Sequence, residues 1–255
     1  MTVPLAAGDM FSVRDKVAVV TGASSGLGAR IAEVLARGGA RVALVARRKD
    51  KLEEVARRCP GSVVLPCDLS STLDRAGLVD AVLAEFGTVD ILVNNAGTST
   101  VTPALDDTGF AAVVDLNLTA TFELCQAAAR WMTRSGGGVI VNIASVYGLV
   151  ASGSLPQAGY AASKGAVVNL TRELAAQWAG AGVRVNALCP AWFRSEMTAS
   201  MVDGERGLAW ITRRTPMGRP GHEDELDGAL LFLASRASSY VTGVALPVDG
   251  GYTAI

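Results

Sequence analysis

The chain has 255 residues, with 23 Lys and Arg against 24 Asp and Glu, which gives a formal net charge of -1. A protein that holds a nucleic-acid backbone concentrates positive charge, so this balance argues against a nucleic-acid partner. Half of the residues are hydrophobic and 18% are charged, which excludes a disordered chain and suits a sheet buried on both faces.

Hydrophobic periodicity alternates between strand-like and helix-like stretches from one end of the chain to the other. In chain order, short apolar runs predict strands at residues 16–21, 41–46, 62–66, 90–94, 139–144, 183–188 and 243–248. Apolar positions at helical spacing predict helices at residues 27–37, 49–58, 71–86, 103–133 (interrupted near Thr108 and Gly109), 160–179 and 224–233. The alternation predicts a doubly wound, parallel, seven-stranded α/β sheet of the Rossmann type, in a single domain spanning residues 1–255.

Residues 190–221 do not fit this alternation. Aromatic and methionine side chains are set there among prolines and polar residues. A long irregular segment inside a compact domain usually has a functional reason, so we expect a lid or substrate loop.

Targeting and membrane signals are weak. Residues 1–11 lack the basic start and long apolar stretch of a secretory signal. Apolar runs such as residues 228–234 are far shorter than the roughly 18 residues that a membrane span needs. We therefore expect no membrane partner.

The histidines and cysteines of this chain do not form a pattern that is typical of a metal site. His222 is the only histidine, which argues against a zinc site or a His-based triad. The four cysteines are scattered without metal-ligand spacing, at Cys59, Cys67, Cys125 and Cys189. We expect reduced thiols in a cytoplasmic protein and no metal site.

A glycine-rich turn follows the first predicted strand, with the sequence Thr21-Gly22-Ala23-Ser24-Ser25-Gly26-Leu27-Gly28. Three glycines let the backbone turn sharply and approach a diphosphate, and the next helix offers its N-terminal amides to the anion. A purely structural turn is the alternative, but a strand before it and a helix after it favour phosphate binding.

Tyr160 and Lys164 lie four residues apart in a predicted helix, so their side chains share one face. A phenol with its usual pKa near ~10 is a poor acid at neutral pH. A neighbouring ammonium, together with the positively charged ring of a nucleotide bound at the glycine turn, is expected to lower that pKa. Lys164 is one of only four lysines in the chain. A Tyr-x-x-x-Lys pattern also occurs by chance, so its significance depends on the residues around it.

Two further polar residues accompany this pair. Ser145 follows the fifth predicted strand, where its hydroxyl could donate to a carbonyl oxygen. Asn117 interrupts an apolar helical stretch, either as a core asparagine with satisfied hydrogen bonds or at a kink that holds a water.

These motifs together resemble the short-chain dehydrogenase/reductase family over about residues 16–251. The resemblance rests on the Gly-x-x-x-Gly-x-Gly spacing, on Asp68 after the third strand and on Asn94-Asn95-Ala96-Gly97 after the fourth, although this last run alone could be a simple turn. It implies the catalytic residues Asn117, Ser145, Tyr160 and Lys164. Tyr160 would be the acid-base residue, Lys164 would also bind the nicotinamide ribose, Ser145 would orient the substrate, and Asn117 would support a water relay to Lys164.

The end of the second strand bears on the choice between NADP(H) and NAD(H). A carboxylate there would bind the ribose 2'-hydroxyl, whereas this chain has Ala46, Arg47 and Arg48, which suit a 2'-phosphate. A solvated helix start is the alternative for the two arginines. We expect NADP(H), with NAD(H) less favoured. The expected cofactor-binding residues are Gly22, Ser24, Ser25, Gly26, Leu27, Gly28, Arg47, Arg48, Asp68, Leu69, Asn95, Ala96, Gly97, Tyr160, Lys164, Pro190, Ala191, Trp192, Phe193 and Ser195.

The chain departs from the family pattern after the sixth strand. Ala191 stands where the family usually has glycine, and its methyl group restricts the backbone conformations open to this position. Ser195 stands where the family has threonine and keeps a hydroxyl.

The expected substrate contacts are Val146, Tyr147, Leu155, Gln157, Trp192 and Met197, with Leu149, Val150, Ser154, Met201 and Trp210 nearby. These side chains favour an apolar or aromatic carbonyl compound, but they could equally form lid packing or a subunit contact. The overall pattern is most similar to family members of the 3-oxoacyl-carrier-protein reductase and gluconate or glucose dehydrogenase type, which implies a homotetramer.

We therefore expect an NADP(H)-dependent carbonyl reductase that converts a ketone to a secondary alcohol reversibly, a ketoreductase. The alternatives are an NAD-dependent sugar or polyol dehydrogenase and, from another class, a nucleotide-sensing regulator without turnover.

Overall fold

A computed structural model of the chain describes residues 7–153 and 155–255. The prediction for residues 1–11 therefore falls partly outside the described residues, and the placement of Ser154 in the substrate pocket falls outside them entirely. The strands are β1 (Val17–Thr21), β2 (Arg41–Ala46), β3 (Val63–Pro66), β4 (Ile91–Asn94), β5 (Gly138–Ile143), β6 (Val183–Pro190) and β7 (Ala245–Val248). The α-helices are α1 (Ala7–Met10), α2 (Gly26–Arg37), α3 (Lys49–Ala56), α4 (Thr72–Ala76), α5 (Leu78–Phe86), α6 (Phe110–Val114), α7 (Ala120–Met132), α8 (Ala158–Trp178), α9 (Ala199–Val202), α10 (Glu205–Arg214) and α11 (Asp227–Ala234).

The seven strands form one parallel sheet in the order β3-β2-β1-β4-β5-β6-β7. This confirms the predicted doubly wound architecture. The chain runs outward from β1 to β3 and then returns to place β4 beside β1. In such sheets the connections that leave the two central strands run to opposite faces, and ligands bind in the crevice that this creates at the carboxyl ends of the strands.

Helices cover both faces of the sheet. Successive side chains of a strand point to opposite faces, so Val20 of β1 joins the core cluster that contains Leu35 of α2, whereas Val19 joins the one that contains Leu124 of α7 and Leu174 of α8. Because both faces of the sheet are covered, the strands are mostly apolar, and this is why short hydrophobic runs located them in the sequence.

Three segments differ from what the sequence predicts. The helix predicted over residues 71–86 is broken at Gly77 into α4 and α5. The helix predicted over residues 103–133 begins only at Phe110, just after the expected interruption, and a π-helical turn, Asp115–Thr119, lies between α6 and α7. Residues 190–221 are not simply irregular, because they contain α9 and α10.

Among residues 7–153 and 155–255, none of the helices combines the length and hydrophobicity needed to cross a membrane.

Candidate active site

A cavity of ≈ 460 Å³, the main cavity, opens at the carboxyl ends of the central strands. Nearly all of the residues expected to bind a nucleotide line it, together with Ser145. Glycines 22, 26 and 28 lie at one end, and Ser145, Tyr160 and Lys164 lie along the same cavity. The structure thus brings the glycine turn and the candidate catalytic residues to one site.

The glycine turn depends on two of its glycines for different reasons. Gly22 has a φ of 66°, in the left-handed region that side-chain-bearing residues avoid. Gly28 has no such φ, but a Cβ added there would lie 2.1 Å from the carbonyl oxygen of Gly22 and 2.5 Å from Nδ2 of Asn95. Any other residue at position 28 would therefore push against the backbone of the turn.

Hydrogen bonds tie the end of β1 to the end of β4. Oγ1 of Thr21 accepts from the backbone N–H of Asn95 at 2.9 Å and from that of Ala96 at 3.0 Å. Nδ2 of Asn95 donates back to the carbonyl oxygen of Thr21 at 2.9 Å. The sequence predicted Asn95 and Ala96 for the site but gave Thr21 no role, although a polar residue ending an otherwise apolar strand was a signal for one.

Arg48 lies across the glycine turn. Its Nη2 atom donates to Oγ of Ser24 at 3.2 Å and to Oγ of Ser25 at 3.0 Å. Its guanidinium also forms a salt bridge with Glu196, with Nη2 2.9 Å from Oε2. Arg47 lines the same cavity. The arginine that contacts the turn is therefore Arg48, and Glu196, which the sequence did not single out, is its partner.

Asp68 lies after β3 at the edge of the main cavity. Its Oδ1 accepts hydrogen bonds from the backbone N–H and the hydroxyl of Ser70, at 3.0 Å and 2.8 Å. These bonds from Ser70 lower the pKa of Asp68 from its ordinary value, so the carboxylate is fixed in place and charged at neutral pH.

Ser145, Tyr160 and Lys164 form a compact group. Ser145 follows β5, and its hydroxyl accepts from the backbone N–H of Tyr147 at 3.2 Å and lies near the phenol of Tyr160. Tyr160 and Lys164 are on the first two turns of α8, and Nζ of Lys164 lies 5.6 Å from the centre of the Tyr160 ring. Nζ also donates to the carbonyl oxygen of Ile143 at 2.7 Å, which holds the ammonium against the end of β5.

Burial sets the charge states of this group. It raises the pKa of Tyr160, and the nearby hydroxyl of Ser145 opposes this only in part. Desolvation of the phenolate therefore dominates among the protein's own groups, whereas the lowering of this pKa by Lys164 together with a bound nucleotide stays a prediction. Burial also lowers the pKa of Lys164 to about 8, so its amine is mostly charged at neutral pH but lies close to its titration range.

Asn117 is buried in the π-helical turn and does not line the main cavity. Its Oδ1 accepts from the backbone N–H of Thr98 at 2.8 Å, and its Nδ2 donates to the Thr98 carbonyl at 2.9 Å and to Oγ of Ser163 at 3.0 Å. A Cβ added at Gly97 would lie 3.1 Å from Oδ1 of Asn117 and 3.6 Å from Nζ of Lys164. Asn117 thus has satisfied hydrogen bonds and sits close to Lys164 across Gly97.

The segment after β6 accommodates the two departures from the family pattern. Among the described residues, Asp15 is the only non-glycine with a positive φ, so Ala191 occupies ordinary backbone space and needs no glycine. Its N–H donates to the carbonyl of Val248 at 3.1 Å. The hydroxyl of Ser195 is hydrogen-bonded to that of Thr198 at 2.9 Å, so this segment retains a threonine hydroxyl near the cavity.

The structure separates the residues expected to contact substrate. Met197 lines the main cavity. Trp192 was predicted to contact both the cofactor and the substrate, but it does not line this cavity. Trp192 lines a second cavity and stacks edge-on against Tyr147 and Trp210, with ring centres 6.3 Å and 5.6 Å apart. Val146 and Leu155 join the same apolar cluster, and Gln157 is buried at the start of α8. The alternative interpretation, lid packing, accounts for these buried aromatic residues, because their rings pack edge-on against one another.

Comparisons with known proteins agree with this geometry. The family model described as Enoyl-(Acyl carrier protein) reductase matches residues 22–253. The chain is 41% identical to D-threitol dehydrogenase of Mycolicibacterium smegmatis, over 95% of each chain. It is 39% identical to gluconate 5-dehydrogenase of Gluconobacter oxydans, over 96% of this chain and 97% of that one.

A solved structure shows the same architecture. The gluconate 5-dehydrogenase of Burkholderia cenocepacia, in complex with NADP and tartrate, superimposes with a TM-score of 0.92 at 38% identity, covering 98% of this chain and 100% of that one. The fold, the glycine turn and these full-length similarities lead to one assignment: the chain is an oxidoreductase that belongs to the short-chain dehydrogenase/reductase family.

Proposed function

We propose that the protein interconverts a ketone and a secondary alcohol with NADP(H) as the hydride carrier. The observation that carries this proposal is the position of Ser145, Tyr160 and Lys164 in the same cavity as the glycine turn and Arg48. One end of the cavity suits a phosphorylated nucleotide, and the other presents a hydroxyl, a phenol and an ammonium to the reacting carbon–oxygen bond.

The residues of the turn fit such a nucleotide. The glycines at positions 22 and 28 permit a tight turn that a Cβ at either position would disrupt, and the first residues of α2 line the cavity. The first N–H groups of a helix have no partner within the helix and can bind a phosphate. Arg48 with Ser24 and Ser25 provides donors for a 2'-phosphate. The complex of the Burkholderia relative with NADP supports the same choice. When bound, the nicotinamide would supply or accept the hydride.

The chain's own groups would handle the oxygen and its proton. The Ser145 hydroxyl donates to the carbonyl oxygen and fixes its position, and the phenol of Tyr160 transfers the proton to the oxygen during reduction. Lys164, held by the carbonyl of Ile143, keeps a positive charge near the phenol and thus favours loss of that proton. Asn117 is a positioning residue in this scheme, because it holds the backbone of Thr98 beside Gly97. Oxidation of the alcohol is the reverse.

The substrate class has two candidates. The expectation of an apolar or aromatic carbonyl rested on side chains such as Tyr147 and Trp192, which pack against each other in a buried cluster. Relatives that act on threitol and gluconate favour instead an open-chain compound with several hydroxyl groups. We propose a polyol or sugar acid as the first class to test. A nucleotide-sensing regulator without turnover is disfavoured by the grouping of Tyr160 with Lys164.

The experiment is a panel of polyols, sugar acids and simple ketones assayed with NADPH, NADP⁺, NADH and NAD⁺. Tyr160→Phe should lower kcat at least about 100-fold on the best substrate, because it removes the proton donor. Tyr240→Phe, the same change at a fully exposed position, is the matched control and should keep full activity. Saturable nucleotide binding without turnover of any compound, or an active Tyr160→Phe variant, would contradict the proposal.

Two further proposals concern the surroundings of the site. Residues 190–221 would act as a lid in the single domain, since Glu196, Met197 and Thr198 line the main cavity while α10 packs on the aromatic cluster. A homotetramer would use α11 and the edge strand β7 in one interface. Light scattering after size exclusion should give four times the chain mass, and a monomer would exclude this assembly.

A further inference from the structure

Arg48 is held in place from two sides at the mouth of the main cavity. On one side it donates to the hydroxyls of Ser24 and Ser25 in the glycine turn. On the other, its two terminal nitrogens bind both carboxylate oxygens of Glu196, at 3.1 Å and 2.9 Å. This is the bidentate arrangement in which arginine also binds a phosphate.

Glu196 approaches from a distant part of the chain. It follows Ser195 in the segment after β6, and a Cβ added at Gly26 would lie 3.0 Å from Cβ of Ser195, so this segment lies directly on the glycine turn. The hydrogen bonds from Arg48 lower the pKa of Glu196, and the hydroxyl of Ser25 makes a smaller contribution in the same direction. The carboxylate is therefore charged at neutral pH, and a negative group already occupies the position where Arg48 would meet a 2'-phosphate.

The two anions cannot share the guanidinium without cost. Both need the terminal nitrogens of Arg48, and placed side by side they repel each other. The side chains of Arg48 and Glu196 are 45% and 62% exposed, so their salt bridge favours the paired state by no more than about fivefold. A phosphate that carries nearly two charges can displace such a partner.

We propose that Glu196 is an internal competitor for the 2'-phosphate of NADP(H): its carboxylate occupies Arg48 until the phosphate displaces it, and this competition sets how strongly the protein prefers NADP(H) to NAD(H). The proposal rests on the NADP(H) specificity proposed above and assigns a specificity-determining role to a lid residue. NAD(H) has no 2'-phosphate and leaves the Arg48–Glu196 salt bridge intact, whereas NADP(H) breaks it.

The test measures the dissociation constants of NADPH and NADH by titration of nucleotide fluorescence, without any substrate. In Glu196→Gln, NADPH should bind about two- to fivefold more tightly, because the competing charge is gone, while the NADH constant should change by less than about twofold. Asp203→Asn is the matched control. It removes the same charge from the same segment, where Asp203 pairs with the exposed Arg194, and should leave the ratio of the two constants unchanged.

A double-mutant cycle separates competition from a general change of charge. Arg48→Ala should weaken NADPH binding, and adding Glu196→Gln to that variant should then have no effect on NADPH. The proposal is overturned if Glu196→Gln weakens NADPH binding, if it shifts NADPH and NADH equally, or if its effect persists without Arg48. A wild-type protein that does not prefer NADPH to NADH would instead show that the proposed cofactor specificity is wrong.

Discussion

Replacing Gly28 with alanine tests whether the glycine turn has the tight geometry described above. The new Cβ would lie 2.1 Å from the carbonyl oxygen of Gly22, and this neighbour is backbone that cannot rotate away. Forcing a methyl group into such a contact costs about 2 to 3 kcal/mol, which exceeds the gain of at most about 1 kcal/mol from alanine in a helix.

Gly228→Ala provides the control, because it makes the same change near the start of α11. A Cβ at Gly228 meets no atom within 4 Å. Thermal unfolding at one protein concentration should show Gly28→Ala melting roughly 5 to 10 °C below wild type, with Gly228→Ala at or above wild type. NADPH binding should weaken at least about tenfold in Gly28→Ala alone, since the displaced turn faces the nucleotide. Equal melting temperatures for the two variants would refute the steric argument.

The remaining predictions concern buried polar groups. The pKa of Lys164 falls from 10.5 to about 8 on folding, so the unfolded chain binds more protons between these values, and the stability of wild type relative to Lys164→Met should rise as the pH increases from 8 to 10. Urea unfolding at several pH values measures this, and a flat or falling difference would show that Lys164 is not desolvated. Asn117→Ala leaves the backbone groups of Thr98 without partners and should cost about 2 to 4 kcal/mol, whereas Asn169→Ala on the exposed face of α8 should change the free energy of unfolding by less than about 0.5 kcal/mol. Similar losses in the two asparagine variants would contradict the structural role given to Asn117.

The features that depend on local sequence patterns could be predicted from the sequence alone. Buried parallel strands are continuous apolar runs, so all seven were located, and the residues that end them fall together at one edge of the sheet. The glycine turn, Ser145, Tyr160 and Lys164 were found for this reason.

Features that depend on contacts between distant residues were not predictable. The salt bridge of Arg48 joins residues 148 positions apart, and nothing in the local sequence indicates it. The aromatic residues were assigned to a substrate pocket because composition cannot tell a ring that lines a cavity from one that packs against another ring, as Trp192 does against Trp210. The rise in the pKa of Tyr160 through burial was not predictable either, because the depth of burial is not visible in the sequence.

The π-helical turn makes the position of Asn117 depend on the number of residues as well as on their identity. Such a turn holds one residue more than an α-helical turn, so α6 and α7 are out of phase by about 100° relative to a continuous helix. Deletion of a single codon within residues 115–119 would let the two helices join into one regular helix and would turn the amide away from Thr98. The hydrogen bonds between Asn117 and Thr98 can thus be lost or gained by the deletion or insertion of one residue, without any substitution at position 117.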